Sequence, residues 1–459
     1  LPELRYTTTL PGVTAQALWD WHAAPGALPR LVPGWSGLSV VRPPPSLADG
    51  TETLLRVKVG PFSWAWTARH RACEPGHGFI DDAVRGPFAA WSHSHRFTDS
   101  PAGAVLDDTL RYELPLGALG SLVAGRFVRS ELDRTFAWRH ARTRDELSRH
   151  QGVAPRTIAV SGASGLVGSA LCDLLTTRGH RVLRLVRRAA GPGEISWDPA
   201  RGELNPEDFV GVAAVVHLAG ESIAQRWTPA ARERILSSRV AGTSLIADAL
   251  ARCSKPPAVF VSASAIGLYG PEPVEADEHS PQGRGLLAEV CARWEAAAEP
   301  ARAAGLRVVH PRIGIVQSAS GASLAAQLLP FRLGLGGPLG AGTQGVSWIS
   351  LDDLLDVLYL AIYDERLSGP VNAVAPAPVS QADYASALGA ALSRPAVLPV
   401  PAFALRALLG EMADEVLLGG AFVRPRRLEQ LGFTWRHPTL QAALAFELGA
   451  LPPGVDHGA

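Results

Sequence analysis

Three glycines at equal spacing, Gly162, Gly165 and Gly168, punctuate SGASGLVG. An apolar run, TIAV, precedes them, and an apolar helical pattern follows. This arrangement suits a diphosphate. Gly162 permits the tight turn, Gly165 lets backbone approach a pyrophosphate, and Gly168 allows helix to pack closely on strand. Ala163, Ser164, Leu166 and Val167 complete the loop, and the helix that opens there offers free N–H groups and the positive end of its dipole. The bland alternative is a glycine-rich turn with no ligand. About 20 residues beyond such a loop, a site for NAD places an acid on the ribose 2′-hydroxyl. Here Arg187 and Arg188 stand in that region. A guanidinium pairs with a 2′-phosphate in forked geometry, so NADP(H) is the expected cofactor, against two merely solvated arginines. Farther on, His217 ends AAVVH, where packing is the expected role. Leu218, Ala219 and Gly220 follow it at the position where ligands meet an open α/β sheet.

A second pattern lies near the N-terminus. Trp91, His93, His95 and Phe97 alternate onto one face of a strand. H-x-H is a zinc-ligand spacing, but no third ligand stands at a sensible interval, so no metal centre is expected.

The elements that must hold these residues follow from rhythm. Up to about residue 150, half-apolar runs such as FSWAWTARHRA and AAWSHSHRF alternate with the turn clusters PPPSLADG and EPGHG, which predicts an antiparallel sheet. A long helix is predicted from about Leu116 to Ser148. Leu119, Val123 and Phe127 lie on one face, and Val128, Leu132 and Phe136 on another. RHQGVAPR reads as a linker. Beyond it TIAVSG, RVLRLV, AAVVHLAG, AVFVSAS and RVVHPRIG alternate with helical or loop segments. Continuous apolar strands of this kind belong to a parallel, doubly wound sheet. The last part, from about 371, is mainly helical.

The totals agree. A chain of 459 residues exceeds one hydrophobic core. Its 43 basic and 43 acidic residues leave no net charge, which argues against nucleic acid or an anionic membrane as partner. No signal peptide and no apolar run of membrane-spanning length is seen, so membrane insertion is not expected. Cys73, Cys172, Cys253 and Cys291 form no C-x-x-C, which favours a reducing, cytoplasmic setting. Nothing in the sequence sets an oligomeric state.

SGASGLVG, VVHLAGESIAQRWT, SASAIGLYG, GLLAEVCARWEAAA, RIGIV and GLGGPLGAGTQGVSWISLDDL together resemble the extended short-chain dehydrogenase/reductases. More closely, they resemble the atypical nucleotide-sugar-epimerase-like branch, which ends in a small helical domain. ALWDWHAAPGALPRLVPGW, RGPFAAWSHSHRF and LRYELPLGALG resemble bacterial START-like (SRPBCC) helix-grip domains. The implied fold is α/β: a Rossmann-type doubly wound parallel sheet over residues 156–370 with a C-terminal helical domain over 371–459. An N-terminal α+β helix-grip domain over 1–150 precedes it. The helix-grip resemblance implies a cavity for a hydrophobic ligand, or a filled core that only stabilises its partner domain.

Ordinary members of the superfamily use Tyr-x-x-x-Lys, in which the Lys lowers the Tyr pKa and the Tyr moves the proton. In GLLAEVCARWE, Leu286 or Leu287 falls at the Tyr position and Val290 or Cys291 at the Lys position. The only lysines, Lys58 and Lys255, follow Leu54 and Ala251 at that spacing, so the motif is absent. The resemblance makes Ser264 the group that orients a substrate carbonyl, with Ser262 as the fallback at the cofactor. Tyr269 and Glu289 remain as proton carriers, Glu289 if apolar neighbours hold it. Each also has a purely structural reading. Arg226, Trp227 and Arg239 are candidates to grip a small-molecule substrate. Ser350 stands where the family usually has His, with Asp352 expected as the N-cap of the helix after it. GLGGPLG (334–340) is either a substrate lid or a plain crossover. The function expected is NADP(H)-dependent oxidoreduction or epimerase-like chemistry on a small carbonyl or alcohol. The alternatives are a non-catalytic NADP(H) sensor, or an enzyme fed a hydrophobic substrate by its N-terminal domain.

Overall fold

The computed structural model describes residues 2–60, 62–149 and 152–450. These divide into two compact units. One runs up to Pro155 and includes Asp173–His180 and the residues from Phe446; the other comprises Arg156–Cys172 and Arg181–Ala445. Positions 150 and 151 of the expected linker lie outside the described residues, as do 451–459 of the expected C-terminal domain.

The first unit is an antiparallel sheet gripped by helices. Its strands are β1 (Glu3–Leu10), β2 (Leu38–Arg42), β3 (Glu52–Val59), β4 (Phe62–Glu74), β5 (Gly78–Arg85), β6 (Ala90–Ser100) and β7 (Gly103–Glu113), in the order β1-β7-β6-β5-β4-β3-β2. Thr14 caps α1 (Ala15–Ala23) through its side chain, and α1 lies against β6 and β7. A short α2 (Ala27–Arg30) precedes β2, and the long α3 (Gly117–Ser148) begins one residue from where the sequence places it. Period-2 alternation puts Phe79, Phe97 and Leu106 beneath Leu18 and Trp19 of α1. Phe136 of α3 stacks on Tyr6, with Val128 and Leu132 beside it. The other expected face of α3 has no such cover: Leu119, Val123 and Phe127 are exposed. Periodicity identifies an apolar stripe but not whether anything covers it.

The second unit carries β8 (Thr157–Ser161), α4 (Leu166–Thr177, whose residues from Asp173 group with the first unit), β9 (Arg181–Val186), β10 (Glu194–Ser196), β11 (Ala214–His217), α5 (Pro229–Arg252), β12 (Val259–Ser262), β13 (Ser264–Ala265) and β14 (Glu275–Ala276). Then come α6 (Leu286–Ala296), α7 (Glu299–Ala303), β15 (Arg307–Ile313), β16 (Ile315–Gln317), α8 (Ala322–Arg332), β17 (Gly345–Val346), β18 (Trp348–Ser350), α9 (Leu351–Tyr363) and β19 (Gly369–Ala373). The main sheet runs β10-β9-β8-β11-β12-β15, all parallel, and β19 pairs parallel with β15. This is the doubly wound order, and its reversal lies between β8 and β11. Every residue of β11 and β12 is buried, as expected for strands covered on both faces. The expected boundary at 370/371 falls inside β19.

One expectation needs correction. Ser350, not Asp352, is the N-cap of α9: its hydroxyl accepts from Asp353 N–H at 3.0 Å, and it donates to Asp353 Oδ2 at 2.7 Å. Asp352 cannot serve as the cap, because it already lies inside the helix. The glycine-dense loop 334–340 is tied down by backbone: Leu398 N–H bonds Gly336 O, Val400 N–H bonds Pro338 O, and Gly340 N–H bonds Val400 O. A Cβ on Gly337 would meet Leu398 O at 2.1 Å, so the glycine serves a close backbone approach, as a crossover requires. Among the described residues, no helix is long and apolar enough to cross a membrane.

Candidate functional site

The glycine loop sits at the carboxyl end of β8, at the reversal of strand order. Gly162 has φ +68°, and a Cβ there would meet Leu218 C and Ala219 N at 2.8 Å. A Cβ on Gly168 would meet Gly162 O at 2.2 Å. Those two glycines are therefore demanded by packing. Gly165 differs: where its Cβ would stand, the only heavy atom within 4 Å is Gly162 O, at 3.3 Å. The side of the loop that a diphosphate needs is open. Gly165 N–H closes the turn on Gly162 O at 2.9 Å, and α4 starts at Leu166 with first-turn N–H groups that have no intrahelical acceptor. These residues fit a dinucleotide.

Neighbouring groups hold this corner rather than react in it. Ser161 Oγ lies 2.5 Å from His217 Nδ1 and accepts from Leu218 N–H at 3.2 Å, which ties β8 to β11. Burial lowers His217 to about 3, so it stays neutral. Leu218 and Ala219 are half-buried and Gly220 is exposed at the strand end. Arg239 lies against Gly220, donates to Glu221 O at 3.0 Å, and stands 5.1 Å over the Trp294 ring. Ser262 is fully buried at the end of β12.

Arg187 and Arg188 leave the end of β9 together, and both are exposed. Glu194 on β10 takes both arms of Arg188, at 2.7 and 2.6 Å, and Arg188 holds Glu194 below the usual carboxylate range. The two arginines are thus not equivalent.

The segment that replaces Tyr-x-x-x-Lys brings Ser264 and Tyr269 into one network. Ser264 Oγ donates to Glu295 Oε1 at 2.7 Å. Arg312 grips the same carboxylate with Nε and Nη2, at 2.8 and 2.9 Å, and donates through Nη1 to Tyr269 Oη at 2.9 Å. Tyr269 Oη in turn donates to Asn372 Oδ1 at 2.6 Å. Ser264, Tyr269 and Arg312 are buried. Burial alone would raise Glu295, but Arg312 outweighs it and holds the carboxyl below its ordinary value. Burial pushes the Tyr269 hydroxyl up, so it keeps its proton. Sequence reasoning missed Glu295, Arg312 and Asn372. Glu295 stands six residues beyond Glu289 in the segment already under scrutiny, but its partners, Ser264 and Arg312, are on β13 and β15.

Glu289 does not join them. Its side chain is 63% exposed and 3.5 Å from Arg293. The apolar surroundings that a proton donor would need there are absent, because α6 turns Ala288, Val290 and Cys291 inward and leaves Glu289 on its outer face. Burial raises the Cys291 thiol to about 12. Of the groups proposed to grip substrate, Trp227 is buried and donates to Ile223 O at 3.0 Å. In the first unit His93, His95 and Phe97 all point inward from β6.

Comparison with known proteins accords with this geometry. Residues 158–372 match the NAD dependent epimerase/dehydratase family, 11–140 match polyketide cyclase/dehydrase and lipid transport, and 400–447 match a domain of unknown function. An epimerase family protein of Mycobacterium bovis is 43% identical over 297 residues, covering 64% of this chain and 98% of its own. The crystal structure of a nucleoside-diphosphate sugar epimerase from Corynebacterium glutamicum superposes with a TM-score of 0.81 at 33% identity, covering 97% of this chain and 90% of that one. Human epimerase family protein SDR39U1, crystallised with NADPH, gives a TM-score of 0.59 at 36% identity, covering 64% of this chain and all of its own. A fold, a glycine corner and relatives of this similarity agree: the chain belongs to the epimerase family of extended short-chain dehydrogenase/reductases, carried behind a polyketide-cyclase-like, START-type domain.

Proposed function

We propose that this protein binds NADP(H) at the Gly162–Gly168 corner and reduces a carbonyl on a small substrate. The observation that carries the reading is the open side of Gly165 at the strand-order reversal, with two arginines at the end of the neighbouring strand. The human relative's structure with NADPH supports the same cofactor. Residues 162–168 would hold the diphosphate, Leu218, Ala219 and Gly220 would line the ring-bearing half, and Arg187 would meet the 2′-phosphate. Arg188 would be held in reserve by Glu194. The nicotinamide, when bound, supplies or accepts a hydride at C4.

The chain's own contribution is the network around Tyr269. Arg312 and Asn372 fix the Tyr269 hydroxyl in one orientation, and burial keeps it protonated. The protonated hydroxyl is the form that can give a proton to a developing alkoxide, as reduction of a carbonyl requires. Ser264 would turn from Glu295 to the substrate oxygen. A second reading, binding without turnover, is favoured by one observation: Ser264 and Tyr269 already have partners, Glu295 and Asn372.

Two measurements separate these readings. Calorimetry should show NADPH binding weakened roughly 10- to 100-fold by Arg187→Ala, the loss of one charge-assisted hydrogen bond, while NADH is little affected. Equal losses for both would remove the phosphate assignment. NADPH consumption over a panel of aldehydes and ketones should then fall at least tenfold in Tyr269→Phe and Ser264→Ala. NADPH binding with no turnover of any carbonyl would favour the sensor.

A further inference from the structure

The interior of the N-terminal unit is not wholly apolar. Five imidazoles and two carboxylates converge inside it: His22, His70, His93, His95 and His140 with Asp81 and Asp108. Sheet register brings most of them together. His70 on β4 is opposite Asp81 on β5, and Asp81 is opposite His93 on β6. One row along, His95 is opposite Asp108 on β7. Residues opposite each other, or two apart on one strand, share a face. His140 reaches in from α3 to Asp108 Oδ2, at 2.7 Å.

We propose that His93, His95 and Asp81 bind a divalent transition metal of the zinc(II) or iron(II) class. Among the described residues, donor atoms of these three lie within 4.8 Å of one another. The surrounding bonds select which atoms face inward. Asp108 Oδ1 is hydrogen-bonded to His93 Nε2 at 3.1 Å, which is how an outer carboxylate orients a ligating imidazole, and it lies 2.8 Å from His95 Nδ1 as an ion pair without hydrogen-bond alignment. That leaves Nδ1 of His93, while Nε2 of His95 faces Asp81. His70 Nε2 occupies Asp81 Oδ1 at 2.9 Å, so Oδ2 remains there.

One distance discriminates. His95 Nε2 and Asp81 Oδ2 are 3.5 Å apart, beyond the usual 2.7–3.2 Å for a direct hydrogen bond. Two ligands at ~2.0–2.1 Å from a tetrahedral metal stand ~3.3 Å apart, close to that spacing. Two buried carboxylates also present two negative charges, which a dication neutralises. Two imidazoles and one carboxylate suit zinc or iron and leave coordination positions for water or a ligand.

The full-length protein, purified without an affinity tag or chelator, is tested by elemental analysis. It should carry about one zinc or iron per chain, and chelated protein should take up about one cobalt(II) with visible ligand-field bands. His95→Gln and Asp81→Asn should each lose the bands and at least tenfold in cobalt affinity, while near-ultraviolet circular dichroism shows the fold intact. Asp82→Asn, on the neighbouring outward position, should keep both. No metal in the purified protein and no cobalt uptake at micromolar concentration would overturn the proposal, leaving a hydrogen-bonded network only. So would unchanged binding in both variants. The wild-type cobalt titration decides the matter even if a variant misfolds.

Discussion

Arg312 illustrates what one side chain can hold. It is buried, it satisfies both oxygens of Glu295, and it orients Tyr269. Removing one member of a buried pair leaves the other charged and uncompensated, which costs about 3–5 kcal/mol. Arg312→Ala should lose that much by urea denaturation, and Arg312→Ala with Glu295→Gln should recover part of it. The pair also sets a pH dependence. Glu295 has a folded pKa below its ordinary value of 4.5, so its share of stability is fully present above about pH 4.5. That share is lost as pH falls through the depressed folded value. Glu295→Gln should flatten this acid limb and leave stability at higher pH insensitive to pH at this site. A limb of unchanged steepness would show that Glu295 is not the group responsible. None of this was legible from the chain. Glu295 reads as one more acid on a polar helix, and Arg312 as a charge inside an apolar strand. Only the parallel packing of β13 and β19 on either side of β15 brings Ser264 and Asn372 to them.

Among the elements, α6 depends on a residue far away in sequence. Gly285 precedes it at φ +100° and has no side chain to cap it. Glu415, in the turn Ala413–Leu417, supplies the cap: its carboxylate accepts from Leu286 N–H at 2.7 Å and from Leu287 N–H at 3.0 Å. A carboxylate at a helix N-terminus satisfies orphan donors and meets the positive dipole end. Glu415→Ala should therefore cost ~1–2 kcal/mol, and the Leu286 and Leu287 amides should lose protection in hydrogen exchange. Retained protection at both would show that some other group caps the helix. Element-level reading succeeded where the determinants are contiguous. Strand, glycine loop, helix and second strand follow one another from Thr157 to Val186, and each carries its own local signal. It failed where the determinant is a register or a return of the chain. Asp81 was unseen as a partner of His93 because twelve residues and a hairpin separate them, and β10 is too short to show an apolar run.

The two sheets give the whole molecule its logic. All seven strands of the antiparallel sheet lie within residues 3–113, and all eight of the parallel sheet lie within 157–373. Every strand pairing in each sheet is with a strand of the same sheet's own stretch of chain. The mycobacterial relative bears on this too, since 98% of its own length matches only 64% of this chain. A chain of residues 156–450 should accordingly fold cooperatively and bind NADPH within about threefold of the full-length affinity, a difference below ~1 kcal/mol. Thermal unfolding and calorimetry check both halves of that statement. If the shorter chain folds but binds at least tenfold more weakly, the START-type domain contributes to the cofactor site. If it does not fold, strand pairing within residues 157–373 is insufficient and stability resides in packing beyond the sheet. Binding retained in the shorter chain, together with a metal found only when residues 1–149 are present, would assign the two chemistries to separate units of one polypeptide.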